Sequence, residues 1–239
     1  MRHLPNLLTL LNLLCGCIAV VSVFHSRYDH VAILVMVALV ADFFDGFAAR
    51  MLGVSGPFGK ELDAIADMVT FGLLPGVIFY HLMLKSTYFV HFESRLGFSF
   101  LKYYMFIIPI FSALRLAKFN TDPRQSAHFI GLPTPANTLW IISLPFILQQ
   151  DILGLATVLR NPFTLAGLAS LSAWIMVAEI PLLSLKMKPS QIRQARPQLL
   201  LLVGSLVFIL TLRIASPPVI IGWYVLLSLI YPPAKTQQT

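Results

Sequence analysis

Apolar runs long enough to cross a bilayer, about 20 residues each, recur from one end of this chain to the other. In hydrocarbon every backbone polar group must be paired internally, so such a chain folds as helices or as a closed barrel. The runs are continuous rather than alternating with period two, which is not the barrel pattern. Only 11% of the residues are charged and 57% are hydrophobic, too little polar surface to cover a soluble domain of 239 residues. The pattern predicts an all-α, polytopic transmembrane helical bundle.

Helices are expected near 4–25, 31–51, 59–83, 103–118, 133–149, 162–185, 198–212 and 217–232. The last two are short and close together, so they read as a hairpin added to six preceding helices. The chain is expected to be a single domain over 1–239, with its core over about 1–185 and extra C-terminal helices over 198–232. The longest polar gaps, 84–102 and 119–132, are each under twenty residues and leave no room for a soluble domain. Met1-Arg2-His3 before an apolar stretch superficially fits a signal peptide. Pro5, Asn6 and Asn12 interrupt that stretch and no clear small-x-small site follows, so a retained first helix is expected. Cys15 and Cys17 have no second pair elsewhere and read as two small core residues rather than a zinc site or a disulfide.

The formal net charge is +7. The basic residues fall between the apolar runs, which points to orientation and contact with anionic head groups, not to nucleic acid. With eight crossings both termini share one side. That side would hold eleven Lys and Arg residues against six on the other, so both ends are expected in the cytoplasm.

Five of the ten acidic residues fall between positions 42 and 67: Asp42, Asp45, Glu61, Asp63 and Asp67. Each carboxylate at mid-membrane costs about 2.5–3.5 kcal/mol on insertion scales, so the four Asp together would cost roughly 10 kcal/mol without compensation. At 100° per residue, Asp42, Asp45, Gly46 and Ala49 share one arc of a helix, and Gly59, Asp63 and Asp67 share one arc of the next. The stretch 51–58 contains Gly53, Ser55, Gly56 and Pro57, which suits a tight reversal. The two helices are therefore expected as antiparallel neighbours with facing acidic stripes. Converging carboxylates without His or Cys form a hard oxygen site suited to Mg²⁺ or Mn²⁺. Gly46 and Gly59 leave those faces bare for a bulky ligand. Paired divalent ions clamp phosphate oxygens during in-line displacement, and a carboxylate can act as general base toward an incoming hydroxyl.

The segment Asp42-Phe-Phe-Asp45-Gly46-Phe-Ala-Ala49-Arg50, eight further residues, and Gly59-x3-Asp63-x3-Asp67 matches the CDP-alcohol phosphotransferase signature at all eight specified positions. The chain thus resembles that family, commonly built on a six-helix plan. The resemblance implies that Asp42, Asp45 and Asp63 ligate a pair of divalent metal ions and that Asp67 borders them and acts as the catalytic base. It also implies that Gly46, Ala49 and Gly59 make room for the cytidine nucleotide, with Arg50 near its phosphates. Pro5-Asn6-Leu-Leu-Thr9-Leu-Leu-Asn12-Leu-Leu-Cys15-Gly16 is similar to the first helix of bacterial phosphatidylserine synthases. So are the stretches Phe58–Pro75, Arg115-Leu-Ala-Lys118-Phe-Asn120 and Phe129–Pro135. The implied substrates are CDP-diacylglycerol and L-serine, with membrane lipids around the chain, a homodimer permitted, and a bacterial inner membrane with a cytoplasm-facing site as the setting.

Lys60 reads equally as a head-group contact or as a contact to substrate phosphate. Arg115 and Lys118 are either interfacial anchors that snorkel or ligands for a substrate phosphate or the serine carboxylate. Asn120 is a turn residue or a further site residue, and Glu61 is a solvated helix-end residue. Two alternatives stand beside this reading. One keeps the chemistry with glycerol 3-phosphate, inositol phosphate or choline as acceptor. The other is an ion-coupled secondary transporter, which predicts inverted repeats and broken helices that the sequence does not display.

Overall fold

The computed structural model describes residues 3–54, 56–86, 100–122, 130–183 and 196–232. Eight helices make up the chain among these residues. They are α1 (Leu4–Phe24), α2 (Tyr28–Met51), α3 (Pro57–Leu84), α4 (Phe100–Thr121), α5 (Thr134–Gln150), α6 (Pro162–Val177), α7 (Arg196–Leu212) and α8 (Ser216–Ile230). The all-α bundle expected from the apolar runs is the fold found.

Helices α1 to α4 are each long and apolar enough to cross a membrane. The continuous apolar stretch Arg196–Ile230 meets the same criteria but folds back at Arg213, whose φ is 48°. Its arms of 17 and 15 residues reach only about 25 and 22 Å at 1.5 Å per residue, short of a hydrocarbon core of about 30 Å. Large apolar side chains such as Leu7, Leu14, Val21, Ile33, Phe43, Leu202 and Leu210 point outward. On spanning helices these are lipid-facing positions, and the chain is an integral membrane protein.

Helix α3 forms the centre. Of its most apolar window 56% is buried, against 17% for the α7–α8 hairpin, and it packs on α1, α4, α5 and α6. Lipid offers no hydrophobic drive for such contacts, so small residues that allow close backbone approach carry them. A Cβ on Gly76 would stand 2.6 Å from Pro109 Cδ of α4, and one on Gly72 would stand 3.1 Å from Ser112 Cβ. Gly16 of α1 lies against Thr70 so closely that no Cβ fits without a shift.

Helix α3 widens to a π-helical turn at Met68–Leu73, immediately after Asp67. Pro75 has no N–H to offer the Phe71 carbonyl four residues back. The Thr138 hydroxyl of α5 reaches that carbonyl at 3.0 Å, within reach also of its own Thr134 carbonyl at 2.9 Å. From the same turn Thr70 donates to the Asn12 carbonyl of α1 at 3.0 Å. The turn thereby ties α3 to both neighbours at the level of the acidic cluster.

Three details depart from the expectations above. Helix α6 ends at Val177 instead of continuing to 185. Pro181 cannot donate and disfavours helix at Ile180 before it, and the 130–132 segment takes up the freed carbonyls. Gly131 N–H donates to Ile180 O at 3.0 Å and Leu132 N–H to Ile175 O at 3.1 Å. Glu179 and Pro181 therefore lie beyond the helix. Cys15 is buried but Cys17 is exposed, because two residues on a helix turn it about 200° to the outer face. Finally, α2 and the first half of α3 are not close-packed neighbours. Helix α1 packs along both, and the space left between their facing stripes is a cleft.

Candidate active site

On α1 the buried residues Pro5, Thr9, Asn12 and Gly16 fall within about 60° of one another at 100° per residue. This stripe faces the carboxylates. Helix α2 ends at Met51 before the turn and α3 begins at Pro57 after it, so Asp42 and Asp67, nine and ten residues from those helix ends, sit level about 14 Å below them. Asp45 and Asp63 lie one turn nearer the mouth.

Oxygen atoms of Asp42, Asp63 and Asp67 all lie within 4.8 Å of one another, the spacing of ligands to a shared cation. Asp45 is 6% exposed and accepts a hydrogen bond from Thr9 Oγ1 at 2.5 Å. Asn12 Nδ2 donates to Asp67 Oδ1 at 3.3 Å. Asp63 Oδ1 is buried without a protein partner. Like charges gathered this closely, with an acceptor left unsatisfied, fit a hard divalent cation, and an all-carboxylate donor set favours Mg²⁺ or Mn²⁺ over softer metals. The residues present therefore suit the group that the sequence implies.

A cleft of about 480 Å³ opens from this cluster toward the turn. Its walls include Asn6, Thr9, Asp45, Gly46, Ala49, Arg50, Gly59, Lys60 and Asp63. Among the described residues nothing requires Gly46 or Gly59 to lack a side chain. A Cβ on Gly46 would meet only the Arg50 guanidinium, at 3.4 Å, and one on Gly59 only Asn6 Oδ1, at 3.7 Å. Both bare positions line the cleft and leave it open there.

Beside the cluster, Arg115 of α4 is 7% exposed and close enough to Asp67 for their charges to interact. Its Nη1 reaches Thr134 Oγ1 at 3.4 Å, its guanidinium lies 5.3 Å from the centre of the Phe119 ring, and its Nε is buried without a partner. A buried guanidinium with an unpartnered Nε beside the carboxylates is thus a candidate ligand for a planar anion.

The residues expected from sequence divide accordingly. Asp42, Asp63 and Asp67 come together with Asp45 one turn away, and Gly46, Ala49, Arg50, Gly59 and Lys60 line one cleft with Asp45 and Asp63. Lys60 Nζ donates to the main-chain oxygen of Asn120 at 3.1 Å, which places the ammonium at the rim. Lys118 is exposed, and neither it nor the Asn120 side chain belongs to the cleft wall. Glu61 is exposed, as a helix-end residue would be. Thr9 and Asn12 had no role in the sequence reading. Their polarity at spacing 5, 9, 12, 16 on an otherwise apolar helix was the available signal.

A family model for CDP-alcohol phosphatidyltransferase matches residues 2–185. The chain is 31% identical over 157 residues to the CDP-diacylglycerol–serine O-phosphatidyltransferase of Bacillus subtilis, a match that covers 66% of this chain and 83% of that protein. It is 31% identical over 151 residues to the enzyme of the same name from Mycobacterium leprae, covering 60% of this chain and 47% of the relative. To the archaetidylserine synthase of Methanothermobacter thermautotrophicus it is 29% identical over 143 residues, 59% of this chain and 56% of the relative. The chain thus spans about half the length of the latter two. With the signature Asp residues gathered at one cleft and the family match covering most of the sequence, the chain belongs to the CDP-alcohol phosphatidyltransferase family.

Proposed function

We propose that this protein transfers the phosphatidyl group of CDP-diacylglycerol to the hydroxyl of L-serine, giving phosphatidylserine and CMP. The observation that carries the reading is the cluster of Asp42, Asp63 and Asp67 at the inner end of a cleft with two bare glycine faces. The names borne by the relatives in Bacillus and Mycobacterium support serine as the acceptor.

In this reading the cytidine nucleotide occupies the space beside Gly46, Ala49 and Gly59, and Arg50 and Lys60 meet its phosphates. Asp42, Asp45, Asp63 and Asp67 hold Mg²⁺ or Mn²⁺, as a pair of ions, which when bound neutralises charge on the phosphates. Arg115 takes the serine carboxylate, since a guanidinium fork matches that planar anion. This sets the serine hydroxyl toward Asp67, which accepts its proton as the oxygen attacks phosphorus. The new Oγ–P bond forms, the bond from phosphorus to the CMP oxygen breaks, and CMP leaves. Lys118 and Asn120 serve at the rim, in contact with head groups or with serine as it enters.

The acyl chains stay in the bilayer while the reacting head group meets a water-soluble acceptor. The catalytic core is the 1–185 portion, and the α7–α8 hairpin is an addition to it. The excess of basic residues in segments at the cleft end favours a cytoplasm-facing site in a bacterial inner membrane. A homodimer is compatible with the lipid-facing helices. The test is an acceptor panel: purified protein, CDP-diacylglycerol and Mn²⁺ or Mg²⁺, with CMP release measured for each alcohol. L-serine should outrun glycerol 3-phosphate, inositol phosphate and choline. Faster release with any of these defeats serine as acceptor and leaves the family assignment standing.

A further inference from the structure

We propose that α1 is a positioning element for the carboxylate cluster, with the Thr9 hydroxyl fixing the direction of Asp45 and the Asn12 amide fixing that of Asp67. The inference rests on the assignment of those carboxylates as metal ligands and of Asp67 as base. Its starting point is the packing: α2 and the first half of α3 are set apart by the cleft, and α1 is the helix that packs along both. Four like charges facing a gap would each rotate away from the others unless something holds them. A neutral donor can do this without adding charge.

Thr9 is 3% exposed and Asn12 is fully buried. Their donors meet Asp45 Oδ2 at 2.5 Å and Asp67 Oδ1 at 3.3 Å. The Asn12 amide is oriented with its –NH₂ toward Asp67, as an ionised Asp67 requires. An ionised carboxylate only accepts hydrogen bonds, and the buried Asn12 Oδ1 is the atom left without a partner. The backbone beneath is clamped as well, since the Asn12 carbonyl accepts from Thr70 at 3.0 Å and Gly16 lies hard against the same threonine. Donor, backbone and carboxylate form one rigid unit, from α1 through the π turn of α3 back to Asp67. Groups that orient a metal ligand from behind typically change metal affinity or activity 10- to 100-fold when removed.

The experiment uses the purified full-length chain in detergent. Mn²⁺ affinity is read from the paramagnetic resonance of free Mn²⁺, and kcat and KM for serine are read from CMP release. Thr9→Val and Asn12→Ala should each bind Mn²⁺ about tenfold or more weakly, and Thr9→Ser, which keeps the donor, should restore wild-type affinity. Asn12→Ala should lower kcat at least tenfold with KM for serine within about threefold, and that loss should vanish in an Asp67→Asn background. Residues that act as a unit are non-additive in this way. Unchanged Mn²⁺ affinity in Thr9→Val and Asn12→Ala overturns the proposal, as does a Thr9→Ser variant no better than Thr9→Val. Losses that simply multiply in the double variant overturn the link from Asn12 to Asp67. Should Asn12→Ala fail to fold, Asn12→Ser takes its place in every arm. Normal turnover by Asp67→Asn alone would remove Asp67 as base, and the Mn²⁺ affinities would still decide the positioning role.

Discussion

Gly46 and Gly59 separate the needs of the fold from those of the ligand. In both places a methyl group would meet protein atoms only at 3.4 Å or beyond, so the helices tolerate alanine, whereas the cleft loses depth where the nucleotide is assigned. Gly46→Ala and Gly59→Ala should therefore keep wild-type thermal stability yet bind CDP-diacylglycerol about tenfold or more weakly, roughly 1.4 kcal/mol. Equilibrium binding of the lipid to the two variants checks this, and unchanged affinity would mean the nucleotide lies elsewhere. In the proposed mechanism the four Asp residues divide by role, with Asp67 as the base. Asp67→Asn keeps shape and an oxygen ligand but loses the base, so it should retain metal-dependent binding of the CDP-lipid while turnover falls about 10²- to 10⁴-fold. Asp42→Asn or Asp63→Asn should weaken that binding itself. Paired measurements of CDP-lipid binding and CMP release at saturating serine distinguish the two, and near-normal turnover in Asp67→Asn would take the proton-accepting role from it.

At the scale of elements, the π turn at Met68–Leu73 sets where Asp67 points relative to α1. Its freed Phe71 carbonyl is met by Thr138, so Thr138→Val, equal in shape but without the hydroxyl, should destabilise the bundle by about 0.6–1.7 kcal/mol, the range for interhelical hydrogen bonds in membranes. Equilibrium unfolding in mixed detergent micelles measures this, and an unchanged midpoint would show that the carbonyl is satisfied without Thr138. This turn also marks the limit of what the sequence conveyed. Apolar length placed all eight helices, and the i, i+4, i+8 spacing of Gly59, Asp63 and Asp67 put three candidate site residues on one face. Periodicity assumes uniform helix, so it was blind to the widened turn before Pro75. It also carried α6 to 185, past the stop at Val177, where Pro181 and a backbone pairing to Gly131 end it. The wedge position of α1 was equally hidden, because pattern reports which face is polar but not which neighbour meets it. Thr9 and Asn12 were visible as polar residues, and their partners became apparent only in three dimensions.

For the whole molecule, the bundle has a chemical end and a structural end. At the chemical end lie the carboxylates, the cleft, Arg50, Lys60 and Arg115. At the other end the Tyr28 hydroxyl meets His81 Nδ1 at 2.9 Å and Lys85 donates to Ser26 Oγ at 2.6 Å, contacts that tie α3 to the α1–α2 turn. The orientation proposed from the basic residues places the chemical end in the cytoplasm. With Cys17 replaced by Ser, Arg27→Cys should react with a membrane-impermeant maleimide added to intact cells, and Leu52→Cys should react only after the cells are opened. The reverse pattern would invert the topology.

Phosphatidyl transfer, as proposed, depends on a divalent ion held by the Asp cluster. Serine-dependent CMP release by the purified chain, followed before and after exhaustive EDTA treatment and after Mn²⁺ is restored, tests it most directly. Release should fall to background with EDTA and return with Mn²⁺; full release in the metal-free protein would mean that transfer needs no divalent ion at the cluster.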